Sequence, residues 1–376
     1  MNIYKQESHP FYFKLALILI SIIALGYLSI LAKEILSPLA FGLLFSILLL
    51  PLSNFLEKKC KLKRAASSAL AVLLLLLCIG GILYLIGTQI SSLTQDIPLL
   101  KQQIIISLHN FQAWISTKFH LNIEKQMGYV QTAASKIKTA TPSMIGSTVL
   151  SLSSILLFLV FIILDTFFML FYRTRLLKFW VDVFGRENAD TVLDIVTTVQ
   201  SIIRKYVVGL LLEMATVAVV CCTVFLLLGI KYAILLGLIT ALFNIVPYIG
   251  IFSALVLNII ITFATTAMAT KVLLVVVTVV VMHLIDSNIL LPVIVGSQVR
   301  INAFITLLGV VLGEMIWGLS GMFLSIPLIA IAKIIFDRIE SLQPWGHLLG
   351  DEKIEPRTFN MNLKRRKPDN IPHLNK

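Results

Sequence analysis

Residues 232–267 read YAILLGLITALFNIVPYIGIFSALVLNIIITFATTA, 36 positions without a single charge. The run is interrupted once, at Asn244-Ile245-Val246-Pro247-Tyr248-Ile249-Gly250. A hydrocarbon layer about 30 Å thick needs about 20 apolar residues of helix. The run is therefore too long for one span, and its two arms are short. Pro removes a backbone donor and clashes with the preceding turn, and Gly loosens the helix. Irregular backbone at bilayer depth is tolerated only where protein buries it or water lines it. The stretch predicts a broken helix, a re-entrant hairpin or two tight crossings.

Residues 301–336 repeat the pattern, interrupted at Gly313, Gly318, Gly321 and Pro327. Two long apolar segments broken by Gly and Pro point to a transport site between them. Simple kinked helices explain either break alone, but account less well for both.

Composition agrees. Hydrophobic residues make up 58% and charged residues 13%, against about 45–50% and about 25% in soluble domains. A soluble globule is excluded, and so is a disordered chain, which needs low hydrophobicity. The fold class is all-α, a polytopic helical integral membrane protein of about eight spans with an external helical hairpin. Clean spans are predicted at 13–32, 35–56, 65–87, 149–172, 206–229 and 271–291, the last ending at Pro292. The first run is long and closely followed by the next, without a persuasive cleavage site, so it reads as an uncleaved span rather than a signal peptide.

The 31 Lys and Arg outnumber 19 Asp and Glu, for a net charge of +12. The excess sits in Lys58 to Arg64, in Arg173 to Lys178, and in Lys364 to Lys367. On the positive-inside rule these are cytoplasmic, as are both termini. Eight crossings satisfy that parity if each interrupted segment counts once; zero or two crossings for each also satisfy it. The basic tail fits a lipid surface. It lacks the basic face with aromatic or base-reading residues that a nucleic-acid partner would need.

The chain divides into a three-span region 1–87, an extracytoplasmic segment 88–148, a membrane core 149–342 and a basic tail 343–376. Ile97, Leu100, Ile104, Leu108, Phe111 and Ile115 step by three and four, and so do Ile123, Met127, Val130, Ala134 and Ile137. These stripes predict a helical hairpin, self-packed or packed in a homo-oligomer. Residues 187–205 read as an amphipathic helix on the inner surface. Cys60, Cys78, Cys221 and Cys222 form neither a disulfide framework nor a zinc spacing.

Charges inside spans cost about 2.5–3.5 kcal/mol on the insertion scale and need a reason. Four carboxylates sit there: Asp165, Glu213, Asp286 and Glu314. Neither Asp165 nor Glu213 has a Lys or Arg in its own run, and the lysines in the runs of Asp286 and Glu314, Lys271 and Lys333, lie four or more turns away. Each either binds ions or protons or is a structural acid bonded to a neighbouring helix. Asp165 and Glu213 lie nearer the inner interface. His283 shares a helix face with Asp286, and an imidazole beside a carboxylate can hold a proton. Asn288 and Asn244 complete the polar candidates, with Pro247, Tyr248, Gly250, Pro292, Gly318, Gly321 and Pro327 as helix-breaking residues.

Enzyme motifs are absent. There is no G-x-x-x-x-G-K-[ST] phosphate loop and no H-E-x-x-H. Gly318-Leu319-Ser320-Gly321 matches an intramembrane serine-protease motif, but the histidines after it, His347 and His373, lie in the tail. The small residues instead suit close helix packing. No enzyme, cofactor or metal is expected.

Leu228-Gly229-Ile230, the Asn244 to Gly250 run, Asp286-Ser287-Asn288, Leu291-Pro292, Val295-Gly296, Gly318 to Gly321 and Ile326-Pro327-Leu328 follow one another in order. Across roughly 205–345 this pattern resembles the autoinducer-2 exporter family of bacterial membrane permeases. The first half is similar in layout only. Ile251 stands where the family usually has Pro, Asp286 where Glu is common, and Asn302-Ala303 where a Pro is usual. Glu314 stands in a stretch that is often Gly-rich. The resemblance implies a multi-pass permease of the bacterial inner membrane exporting a small polar solute or signalling molecule. Some members are similar to sodium(lithium)/proton antiporters, which makes sodium ions or protons the alternative cargo. A non-transporting scaffold acting through the external hairpin is the third reading. The expected partners are the lipid bilayer, the solute, sodium or protons, and further copies of the chain.

Overall fold

The computed structural model describes residues 11–96, 153–246, 249–266, 268–295 and 301–351, with scattered positions between 98 and 106. The predicted external hairpin and the basic tail lie outside the described residues. Twelve helices carry the described chain. They are α1 Phe11–Leu31, α2 Lys33–Lys58, α3 Arg64–Gln95, α4 Ser153–Phe171, α5 Arg173–Phe184, α6 Ala189–Leu227, α7 Ala233–Phe243, α8 Ile249–Thr266, α9 Ala269–Ile285, α10 Ala303–Trp317, α11 Leu319–Arg338 and α12 Gln343–Leu349. Six helices among the described residues are long and apolar enough to cross a membrane.

The bundle wears its apolar side chains outward. Ile23 is 70% exposed and Leu77 60%, positions that would be costly in water and are matched in lipid. Association between such helices rests on close packing and hydrogen bonds rather than on apolar burial. Gly42 illustrates it: a Cβ there would come within 2.6 Å of the Asp165 Cβ, so α2 and α4 touch closely at that point. Glu57, Arg173, Ser53 and Ser67 tie α2, α3 and α5 together through a 2.7 Å ion pair and hydroxyl bonds.

The amphipathic stretch 187–205 continues without a break into the fifth span. Neither Pro nor a turn signal separates them, and α6 runs unbroken for 39 residues, about 58 Å at 1.5 Å per residue.

Both interrupted segments are helical hairpins. The α7–α8 hairpin leaves α6 through Gly229 (φ +64°). The Lys271 amine at the start of α9 returns to bond the Gly229 carbonyl at 2.9 Å, so both ends of the hairpin lie at the Lys231 end of the bundle. The α10–α11 hairpin turns at Gly318, whose φ of +65° and ψ of −142° suit glycine. Its arms close through Gly313 and Gly321, where a Cβ on either would overlap the other's carbonyl. Arg338 at its end bonds Asp194 and Thr198 near the start of α6. Asn302 at its start bonds the Leu349 carbonyl at 3.0 Å. This hairpin therefore enters from the Asp194 end, opposite to the first. Each segment contributes two arms that return to their own end, not one crossing. α7, with 11 residues, reaches about 16 Å into the bundle.

Candidate functional site

The tip of the α7–α8 hairpin delivers Asn244 to the middle of the bundle. Two carboxyls from other helices meet it there. The Asn244 Nδ2 donates to Glu213 Oε1 at 2.9 Å and to Asp286 Oδ2 at 3.0 Å. Glu213 lies on α6 between two packed clusters, one around Ile203 and Tyr206, the other around Val217, Cys221 and Phe225. Asp286 stands where α9 widens into a π-helical stretch, Asp286–Val295, a local geometry frequent at functional sites. Glu213 is 3% exposed and Asp286 5%.

The electrostatics of this arrangement are unfinished. The ion pairs among the described residues all lie elsewhere: Glu57–Arg173, Asp96–Lys231, Asp337–Lys333 and Asp194–Arg338. Glu213 Oε2 and Asp286 Oδ1 are buried without any partner. Two acids sharing one amide in a low-dielectric interior repel each other, and a buried acceptor left unmet costs about 1–3 kcal/mol. A proton or a cation between them would remove both penalties. His283, one turn earlier on α9, is half-buried with its Nδ1 also unpartnered. Among the described residues no group of three or more His, Cys, Asp or Glu is placed to hold a metal ion.

The other residues singled out in the sequence separate from this centre. Asn288, two residues along from Asp286 and so on nearly the opposite side of the helix, is exposed and donates to the Leu284 carbonyl. Glu314 is exposed on α10. Asp165 is half-buried on α4 against Gly42. Gly250 sits at the hairpin tip, where a Cβ would strike the Phe243 carbonyl. Pro247 and Tyr248 lie outside the described residues. Pro292 falls within the π-helical stretch, and Pro327 is buried inside α11. A cleft of about 250 Å³ between α2 and α6, lined by Asn54, Gln200, Ser201 and Arg204 among others, lies on the Asp194 side of Glu213 along α6. It is more than two turns from Glu213 along α6.

The model of the family described as "AI-2E family transporter" matches residues 17–341. The chain belongs to that family. Among the similar proteins are two of Bacillus subtilis (strain 168). The one named "Putative transport protein YrrI" is 27% identical over 322 residues, covering 81% of this chain and 86% of that protein. The one named "Putative transport protein YueF" is 24% identical over 309 residues, covering 78% and 80%. The match reaches through the first half, where the sequence resemblance was one of layout alone. This AI-2E family chain is thus a multi-pass membrane protein with a transport role, and the acid–amide centre lies inside the matched region.

Three polar residues near that centre escaped the sequence reading. Thr240, Asn258 and Thr262 are buried between α7 and α8. Thr is common in apolar helices, where it bonds its own backbone, so it carried no signal. Asn258, the one amide in the apolar run 250–261, could have been noticed.

Proposed function

We propose that this protein is a secondary permease of the bacterial inner membrane that moves a small polar solute or signalling molecule. In this reading the Glu213–Asn244–Asp286 centre binds the proton or sodium ion that couples the movement. One observation carries the proposal: two buried carboxyls from separate helices share one amide donor, and each keeps an oxygen without a partner. Hairpins entering from opposite ends support it, because half-helix ends brought to bilayer depth suit ions and polar groups. With both termini cytoplasmic, the Lys231 end faces outward and α7–α8 enters from outside.

A second reading is sodium/proton antiport without a solute. The compactness of the centre favours it, since two acids and an amide suit an ion better than an organic molecule. Purified protein in liposomes with imposed sodium and proton gradients separates the readings. Solute export requires accumulation of an added polar solute, with a furanone of the kind the family is named for tried first. Antiport requires sodium-dependent proton movement with no solute present. If neither a solute nor an ion moves, both readings are lost.

A further inference from the structure

The inner face of the α7–α8 hairpin carries a second polar group that the acid centre does not use. Asn258 and Thr262 stand one turn apart on α8, and both are fully buried. The Asn258 Nδ2 donates to Thr240 Oγ1 on α7 and to the Ala254 carbonyl, both at 2.8 Å. That fixes the amide with its oxygen turned the other way. The oxygen, Oδ1, has no partner, and neither has Thr262 Oγ1. Thr262 differs here from Thr265, Thr266 and Thr278, whose hydroxyls all bond the carbonyl one turn back. Two oxygens on one buried helix face are thus left open, although a satisfied alternative is available to at least one of them.

Their position along the hairpin is as informative as their chemistry. The Asn244 backbone N–H bonds the Thr240 carbonyl at 3.1 Å, so Thr240 is one turn from the acid centre. From the Lys231 end inward the order is Thr262, then Asn258 with Thr240, then Asn244 with Glu213 and Asp286. Successive rungs lie about one helical turn apart, about 5.4 Å. Neutral oxygens can take the place of a monovalent cation's hydration shell. Uncharged ligands also hold an ion less tightly than two carboxylates, as a place of passage requires.

We infer that Asn258 Oδ1 and Thr262 Oγ1, with Thr240 as their brace, form a binding station for a partly hydrated sodium ion between the Lys231 end and the carboxyls. The station supplies the acid centre with its ion. This rests on the reading of that centre as an ion site, and the test keeps the two apart. Thr262→Val removes the hydroxyl at nearly constant volume, and Thr262→Ser keeps it. Full-length protein is compared in liposomes by sodium-driven flux, and in detergent by sodium-induced stabilisation against heat, with choline as the control cation. The stabilisation is also measured in a Glu213→Gln/Asp286→Asn background, where the station is the remaining site. Thr262→Val should raise the half-saturating sodium concentration about tenfold, the effect of losing one ligand. Thr262→Ser should restore the affinity. In the acid-free background, sodium should still stabilise the protein, and Thr262→Val should abolish that residue of stabilisation. An unchanged sodium affinity in Thr262→Val overturns the station while leaving the carboxyl site standing. Sodium stabilisation that disappears with the acids alone overturns it as well.

Discussion

Asn244→Ala removes the one donor that two buried acids share. The structure sets the magnitude. The Nδ2 makes a 2.9 Å bond to Glu213 and a 3.0 Å bond to Asp286, while the other oxygen of each carboxyl already lacks a partner. Two carboxyls this close share a proton in sodium-free buffer, so one bond goes to a charged acceptor, about 1.5–3 kcal/mol, and one to a neutral acceptor, about 0.5–1.5 kcal/mol, and losing both should cost about 2–4.5 kcal/mol of stability. The loss should shrink as sodium is added, because an ion seated between the carboxyls takes over part of the amide's task. Reversible unfolding in detergent or bicelles, run as a double-mutant cycle against Glu213→Gln/Asp286→Asn, isolates the shared interaction. In the acid-free background the alanine should cost much less, since the acceptors are then neutral amides. An equal loss in both backgrounds would mean that Asn244 acts through hairpin packing alone. The reasoning about a charge-bearing centre would then be wrong.

Three other outcomes follow from the same structure. Asp96, at the end of α3, accepts hydrogen bonds from Lys231 first and then from Tyr232, and these hold its carboxyl below the usual range. A depressed folded-state value gives stability that is present above the unfolded value, near pH 4, and is lost as the pH falls through the depressed one. The parent should therefore lose a part of its thermal stability in acid that Asp96→Asn never had; identical acid profiles would remove this latch. Gly321→Ala should destabilise the protein by about 1–3 kcal/mol through overpacking against Gly313. Gly80→Ala, with nothing within 4 Å, should be nearly neutral in the same unfolding assay.

Much of the architecture could be read from the chain because its apolar runs have the length that lipid demands. Gly318 and the Asn244–Gly250 stretch were recognisable as breaks from their residue types alone. Whether each broken segment crossed or returned was not legible. Crossing parity allowed both, and the deciding contacts, Lys271 with Gly229 and Arg338 with Asp194, join residues far apart in sequence. The same distance limits the site. Glu213, Asn244 and Asp286 were each visible as polar residues in apolar runs, but their meeting depends on how deep α7 reaches. The turn of Asn288 away from Asp286 follows from helical spacing and was open to anyone counting 100° per residue. The exposure of Glu314 was not, since it depends on which face of α10 meets α11 through Gly313.

The central claim is that the acid centre lies on the route of transport. Flux through liposome-reconstituted protein, driven by imposed sodium and proton gradients, tests it most directly when the parent is compared with Asp286→Asn, which preserves shape and removes the charge. The account predicts that sodium- and proton-driven movement disappears in the variant while the protein remains folded. Undiminished flux in a correctly folded Asp286→Asn protein would contradict it.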